Sequence, residues 1–248
     1  MKRYKAVFLD LCDTLVSFDS SRMSEVVLDG LTTRSTSPVV YRVFSRRHGE
    51  VSFETFHRYF AACYREILEY RERHQVEVPS PERFRRILDR LEIPRGREYD
   101  ALVDEIVSAH MGEMEQCLYP PSEHRSLVER LWQEYRLALV SNFDYTPTVH
   151  AVLKRHGLIG YFEQVVVSAD LGLRKPRPEL FLIPCREMRL KPDEVLFVGD
   201  NFDLDVVGAK GVGMDVAWLR RSPDSPVGPQ RPDYILRRLL DLEEILFE

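Results

Sequence analysis

The stretch VFLDLCDTLV, residues 7–16, reads as a buried strand that runs into a polar turn. Its apolar residues stop at Asp10, and a second acid, Asp13, follows Cys12. A short continuous apolar run of this kind is typical of a strand that is buried on both faces of a parallel sheet. The stretch therefore predicts an α/β fold with a polar site at the end of its first strand.

Strand and helix patterns alternate in the second half of the chain, which favours a doubly wound, Rossmann-like parallel sheet. Each of four apolar runs follows a helical pattern: RLALVSN (136–142), FEQVVVSAD (162–170), EVLFVGD (194–200) and MDVAWLR (214–220). The section of residues 20–118 has the spacing of helices almost throughout. We therefore predict an α/β core, residues 1–15 and 120–248, that is interrupted by a helical cap, residues 16–119.

The composition is that of an ordinary soluble globular protein, with 44% hydrophobic and 30% charged residues among 248. The net charge of -5 gives no reason to expect nucleic acid as a partner, and no apolar run approaches the roughly 18 residues that span a bilayer. The four cysteines are scattered, which suits the reduced thiols of a cytosolic protein. We expect a cytoplasmic protein that binds neither nucleic acid nor membrane, and its oligomeric state stays open.

Polar residues close the predicted core strands, which is where ligands bind in such sheets. The first strand ends at Asp10, the next at Ser141 and Asn142, and a later one at Asp200, while Lys175 follows the strand between them. A single residue of this kind would be weak evidence. The whole series in this order predicts one site at the carboxyl edge of the sheet.

These motifs resemble those of the haloacid dehalogenase superfamily, whose members are mostly magnesium-dependent phosphatases that work through an aspartyl-phosphate. The matched segments, in the order of the family's four motifs, are DLCDT (10–14), LALVSN (137–142), RKPRPELF (174–181) and GDNFDLD (199–205). The likeness covers the predicted core, and the helical section resembles the family's first class of cap. The resemblance implies a Mg²⁺-dependent hydrolase that acts on a small phosphorylated metabolite.

The resemblance implies catalytic roles for Asp10 as nucleophile and for Lys175, which would neutralise the nucleophile and the phosphate together. Mg²⁺ would be held by Asp10, Asp200 and the backbone carbonyl of Cys12. The chemistry fits, because a carboxylate can form a covalent phosphoryl intermediate. Two anions that approach each other need a hard cation, and oxygen ligands select Mg²⁺.

Other matched residues would bind the phosphoryl group or support the site. Thr14, Ser141 and Asn142 would donate hydrogen bonds to phosphoryl oxygens. Asp205 would orient Lys175 or metal-bound water without itself contacting the substrate or the metal. Asn201 would contact the metal-bound water.

Cys12 departs from the family's pattern, because the family's phosphatases carry an aspartate there as general acid and base. Cysteine keeps the backbone carbonyl for the metal but loses the carboxylate. The loss of a positioned acid or base typically slows a reaction by about 10²–10⁴-fold. We therefore predict slow or specialised turnover. The side chain of the neighbouring Asp13 is expected to point in a different direction from that of Cys12, so we do not expect it to replace the missing acid.

Two other functions remain open from the sequence. A 2-haloacid dehalogenase also needs no acid at the position of Cys12, because halide leaves without a proton. Those relatives generally dispense with metal, however, and lack acids at the positions of Asp200 and Asp205. The second alternative is a non-catalytic module that binds Mg²⁺ and a phosphorylated ligand without turnover.

Overall fold

The computed structural model describes residues 4–28, 30–221 and 228–247. The chain divides into two compact units, one formed by Met1–Phe18 with Tyr119–Glu248 and the other by Asp19–Leu118. We name them the core unit and the helical unit.

The strands of the described residues are, in chain order, β1 (Ala6–Leu9), β2 (Ser17–Phe18), β3 (Glu25–Leu28), β4 (Leu31–Arg34), β5 (Leu118–Tyr119), β6 (Arg136–Ser141), β7 (Gln164–Val167), β8 (Val195–Gly199), β9 (Asp215–Leu219) and β10 (Tyr234–Leu236). The α-helices are α1 (Ser37–Phe44), α2 (Phe53–His74), α3 (Ser80–Arg90), α4 (Arg97–Cys117), α5 (Ser122–Glu134), α6 (Thr146–Arg155), α7 (Ser168–Leu171), α8 (Pro178–Glu187), α9 (Val207–Gly211) and α10 (Leu242–Phe247). Within the described ranges, no helix is both long enough and apolar enough to cross a membrane.

The core unit is built on a six-stranded sheet in the order β10-β9-β8-β1-β6-β7. Every pair in it is parallel. Side chains such as Phe8, Phe181, Phe197 and Trp218 fill the space between the sheet and its flanking helices. The predicted α/β fold with a doubly wound parallel sheet is confirmed.

The position of β1 in this sheet determines where a site can form. All four of its residues are buried, and Leu9 pairs with Leu139 of β6 on one side and Val198 of β8 on the other. Because the three strands are parallel, their carboxyl ends meet at one edge of the sheet. The residues that follow β1, β6 and β8 are therefore neighbours in space.

The helical unit contains α1–α4 and, at its start, a hairpin that the sequence pattern did not predict. Strands β3 and β4 pair antiparallel, with Val26 opposite Thr33, where we expected helix. Gly30, which precedes β4, has a φ of +76°, a conformation that glycine adopts without strain. The β-branched residues around the Asp29-Gly30 pair in the sequence were the available signal, because this dipeptide is typical of tight hairpins.

Candidate active site

The carboxyl ends of β6, β1 and β8 carry the predicted site residues. Asp10 follows β1 and donates its backbone N–H to the carbonyl oxygen of Val198 over 2.9 Å. Ser141 closes β6 on one side of β1, and Asp200 follows β8 on the other. Asp10 and Ser141 are buried, and Asp200 is partly exposed. The edge of the sheet thus places an acid, a hydroxyl and a second acid beside one another.

Lys175 lies between two carboxylates of this edge. Its Nζ donates to Oδ1 of Asp10 and to Oδ1 of Asp205, each over 2.6 Å. Burial by itself would lower the pKa of Lys175, but the two carboxylates outweigh it and raise the pKa above its ordinary value. The lysine is therefore held as a cation in direct contact with Asp10.

Three acids cluster here, because carboxylate oxygens of Asp10, Asp200 and Asp205 lie within 4.8 Å of one another. Burial raises the pKa of Asp10 to about 7 against the opposing effect of Lys175, and burial with the nearby acids raises the pKa of Asp200 to about 6. At pH values above these pKa values, the three carboxylates outnumber the single ammonium group of Lys175, so the cluster carries excess negative charge. Hard oxygen ligands with this excess charge fit a divalent cation such as Mg²⁺.

Asp205 is fixed by its own loop and directs Lys175. Its Oδ2 accepts the backbone N–H of Asn201 over 3.0 Å, while Oδ1 receives Lys175, so both of its oxygens are engaged. A Cβ at Gly199 would lie 2.4 Å from the Asp205 carboxyl carbon, so a side chain at this position would displace the carboxylate. The loop therefore fixes the direction in which the Asp205 carboxylate meets Lys175.

The side chains of two asparagines of the predicted site form hydrogen bonds with backbone atoms. Asn142 accepts the N–H of Lys175 at Oδ1 over 2.7 Å and donates from Nδ2 to the carbonyl oxygen of Lys175 over 3.2 Å. The amide nitrogen carries a second hydrogen, so the hydrogen bond to a phosphoryl oxygen that we expected stays a prediction beside these contacts. Asn201 accepts the N–H of Leu204 at Oδ1 over 3.0 Å and so caps the following turn, and the contact with metal-bound water that we expected stays a prediction.

The hydroxyls of Ser141 and Thr14 are both buried at the site. Among the described residues, Ser141 Oγ is an inaccessible polar atom without a hydrogen-bond partner. Leaving such an atom unsatisfied costs about 1–3 kcal/mol, so a ligand oxygen is its natural partner. Thr14 Oγ1 makes a long hydrogen bond of 3.4 Å to Oδ1 of Asp200.

Cys12 and Asp13 occupy the turn after Asp10. Burial, with added repulsion from Asp10, raises the pKa of the Cys12 thiol well above its ordinary value, so the thiol is neutral at pH 7. The side chain of Asp13 accepts the backbone N–H of Phe18 over 3.2 Å. One oxygen of the Asp13 carboxylate is therefore held by its own turn.

Sequence reasoning missed Trp218, which supports the site from β9. Its buried indole Nε1 donates to the backbone carbonyl oxygen of Asp200 over 2.9 Å. A tryptophan in an apolar run reads as a core residue, and no motif distinguishes it. The contact depends on the neighbourhood of β8 and β9 in the sheet.

Comparison with known proteins agrees with this geometry. Residues 4–213 match the family model described as haloacid dehalogenase-like hydrolase. The glyceraldehyde 3-phosphate phosphatase of Pyrococcus furiosus is 26% identical, over 99% of this chain and 94% of that protein. The N-acylneuraminate-9-phosphatase of Rattus norvegicus is 24% identical, over 99% and 95%. A crystal structure of 2-haloacid dehalogenase from Pseudomonas syringae is similar with a TM-score of 0.71 and 22% identity, over 98% of each chain.

The match extends from before β1 to just before β9, and so it includes each of the strand ends that carry Asp10, Ser141 and Asp200. The predicted family is confirmed, and with it the assignment as an enzyme. The chain belongs to the haloacid dehalogenase-like hydrolases.

Proposed function

We propose that this protein hydrolyses a small phosphate monoester with Mg²⁺, through a phosphoryl group carried transiently on Asp10. The observation that supports this most strongly is the arrangement of Lys175 between Asp10 and Asp205, with Asp200 beside them. A nucleophilic carboxylate must approach an anionic phosphate. The site therefore needs positively charged groups that contact both of these anions and reduce their repulsion.

Mg²⁺ would be held by Asp10, Asp200 and the backbone carbonyl of Cys12. The excess negative charge of the acid cluster and its hard oxygen ligands fit this ion. When bound, the ion would screen the repulsion between the carboxylate and the phosphate.

The residues of the site would catalyse transfer of the phosphoryl group to Asp10 and then to water. An oxygen of Asp10 forms the new bond to phosphorus while the ester oxygen leaves with the electron pair of the broken bond. Lys175 holds the attacking carboxylate in place, and the Ser141 hydroxyl would donate to a phosphoryl oxygen. Thr14 would provide a second donor near Asp200. Water then attacks the phosphoryl group, which releases phosphate and restores the carboxylate.

Cys12 is expected to make this cycle slow or restricted in substrate. A leaving alkoxide needs a proton, and the attacking water must lose one. A neutral thiol next to Asp10 serves poorly in both directions, and Asp13 is engaged with Phe18.

The substrate is proposed to be a small phosphorylated metabolite. The relatives that match nearly the whole chain are named for glyceraldehyde 3-phosphate and for N-acylneuraminate 9-phosphate. We propose that the helical unit, Asp19–Leu118, serves as a cap that selects the substrate. A cytoplasmic location stays a prediction from the scattered cysteines.

The experiment is a phosphate-release screen of sugar and triose phosphates together with p-nitrophenyl phosphate, with Mg²⁺ or with EDTA. Asp10→Asn should abolish turnover, whereas Asp203→Asn, which removes an exposed acid of the Asp200 loop, should retain it. Chloride release from 2-chloropropionate without Mg²⁺ would instead support the dehalogenase. Binding of beryllofluoride with Mg²⁺ but no turnover of any ester would support the binding module.

A further inference from the structure

The turn that follows Asp10 is held at Asp13 from several directions. Asp13 has a φ of +57°, an uncommon conformation for a residue with a side chain. Its backbone N–H donates to the carbonyl oxygen of Val16 over 2.6 Å, and its side chain accepts from Phe18. A conformation of this kind persists only where the surroundings enforce it.

The carbonyl oxygen of Asp13 is held by Arg221, more than 200 residues further along the chain. Arg221 Nε donates to this oxygen over 2.9 Å, and a second guanidinium nitrogen, Nη2, donates to the same atom. Arg221 lies two residues beyond the end of β9, and β8 separates β9 from β1 in the sheet. The arginine therefore reaches across the carboxyl end of β8, where Asp200 lies, to hold the turn that follows β1.

Holding this carbonyl also fixes the direction of the next N–H group. The carbonyl of Asp13 and the N–H of Thr14 belong to one planar trans peptide, in which they point in opposite directions. A carbonyl turned towards Arg221 therefore sets the direction of the Thr14 N–H. It also restrains Thr14, whose hydroxyl contacts Asp200.

We propose that Arg221 is a positioning residue of the active site, which orients the Asp13–Thr14 peptide so that Thr14 can receive the phosphoryl group beside Asp10. This inference rests on the proposed function. Arg221 acts through the turn, and its exposed guanidinium lies where a small cation from solvent can replace it.

The test compares Arg221→Met and Arg221→Lys with Arg186→Met, which removes an exposed arginine of α8 from the same unit. Turnover of p-nitrophenyl phosphate with Mg²⁺ and the affinity for beryllofluoride, measured by calorimetry, are the two readouts. Arg221→Met should lower both by about 10- to 100-fold, as expected when a charged donor group no longer holds this carbonyl oxygen. Arg221→Lys should fall between Arg221→Met and the wild type.

A guanidinium salt at millimolar concentration should restore part of the activity of Arg221→Met, and sodium at equal ionic strength should not. Circular dichroism melting of each variant shows whether the fold is retained. If the wild type turns over ester but Arg221→Met matches Arg186→Met in both readouts, the inference is wrong and the proposed function stands. Loss of activity with a lowered melting temperature and no guanidinium rescue would show a merely structural role. A wild type without Mg²⁺-dependent turnover or beryllofluoride binding refutes the proposed function, and the inference falls with it.

Discussion

Asn142 holds the backbone of Lys175 on both sides, with Oδ1 2.7 Å from the lysine N and Nδ2 3.2 Å from the lysine carbonyl oxygen. The amide thereby acts like the backbone of a neighbouring strand towards a segment 33 residues further along the chain. The side chain of Lys175 starts from this fixed point and ends between Asp10 and Asp205. Asn142, which follows β6, therefore positions the residue whose ammonium group is the positive charge beside Asp10.

Asn142→Ala should lower turnover by about 10- to 100-fold with little change in KM, because Lys175 loses both backbone contacts that aim it at Asp10. Asn201→Ala provides a matched comparison, since this asparagine caps a turn and does not contact Lys175. Its expected effect is a loss of about 1 kcal/mol in the free energy of unfolding. Steady-state kinetics and urea unfolding separate the two variants. Equal kinetics for Asn142→Ala and the wild type would show that Lys175 needs no such support.

The site residues that directly follow core strands were predictable from the sequence. Apolar runs that stop at Asp10, Ser141 and Asp200 place these residues at one edge, because parallel strands share the direction of their carboxyl ends. Lys175, which follows the strand between those of Ser141 and Asp200, was part of the same series, whereas Asp205 could be included only through the family resemblance.

The direction of the side chains was not predictable. Asn142 and Arg221 both bind backbone atoms of segments that are far away in sequence, and such contacts depend on the order of strands and the course of loops. No periodicity or motif in one sequence encodes that information. The hairpin of β3 and β4 was missed for another reason, since its short strands stand at the start of a section dominated by helical spacing.

Lys175→Met should abolish most activity and change how stability depends on pH. We expect turnover to fall by at least about 10²–10³-fold, because the positive charge beside Asp10 is lost. Without the ammonium, the pKa of Asp10, already raised by burial to about 7, moves higher still. An acid whose pKa is raised on folding binds more protons in the folded state, so its contribution to stability falls as pH rises towards that pKa.

The melting temperature of Lys175→Met should therefore lie close to that of the wild type at pH 5 and well below it at pH 8. Lys5→Met is the control, because Lys5 forms an ion pair with Glu194 and is 65% exposed. Such surface pairs contribute about 0–1 kcal/mol, so this variant should melt like the wild type at both values. A deficit for Lys175→Met that is equal at both pH values would contradict the electrostatic role of the lysine.

Stabilisation by Mg²⁺ should increase with pH. Burial raises the pKa of Asp10 to about 7 and, aided by the neighbouring acids, that of Asp200 to about 6, so the cation must displace protons below these values. Below these pKa values, the affinity of the protein for Mg²⁺ should rise by up to about tenfold per pH unit for each proton that the ion displaces. Without Mg²⁺, the folded state should lose stability as pH rises from about 4 towards 7, as these carboxyls ionise in a buried cluster.

Thermal melts with and without Mg²⁺ at pH 5 and pH 8 measure this effect. The shift caused by Mg²⁺ should be large at pH 8, small at pH 5 and absent in Asp200→Asn. Asp203→Asn, which removes an exposed acid nearby, should keep the full shift. A shift that is independent of pH, or one that survives in Asp200→Asn, would place the ion elsewhere.

Cys12→Asp should accelerate hydrolysis of alkyl phosphates by about 10²–10⁴-fold, the usual contribution of a positioned acid and base. The gain should shrink as the leaving group becomes a more stable anion, because p-nitrophenolate departs without a proton. Cys12→Asn is the matched control, since it has nearly the size and shape of aspartate and cannot transfer the proton. A plot of log kcat/KM against leaving-group pKa should be steep for the wild type and for Cys12→Asn, and shallow for Cys12→Asp.

The second half of the cycle gives an independent measure of the same deficit. With p-nitrophenyl phosphate, the first transfer needs little acid catalysis, whereas breakdown of the phosphoryl group on Asp10 still needs a base for water. The wild type should therefore release a burst of nitrophenolate equal to the enzyme concentration and then turn over slowly. Cys12→Asp should abolish the burst by speeding the second step. A wild type with no burst and a shallow leaving-group plot would mean that another group transfers the proton, and Cys12 would then not limit the reaction.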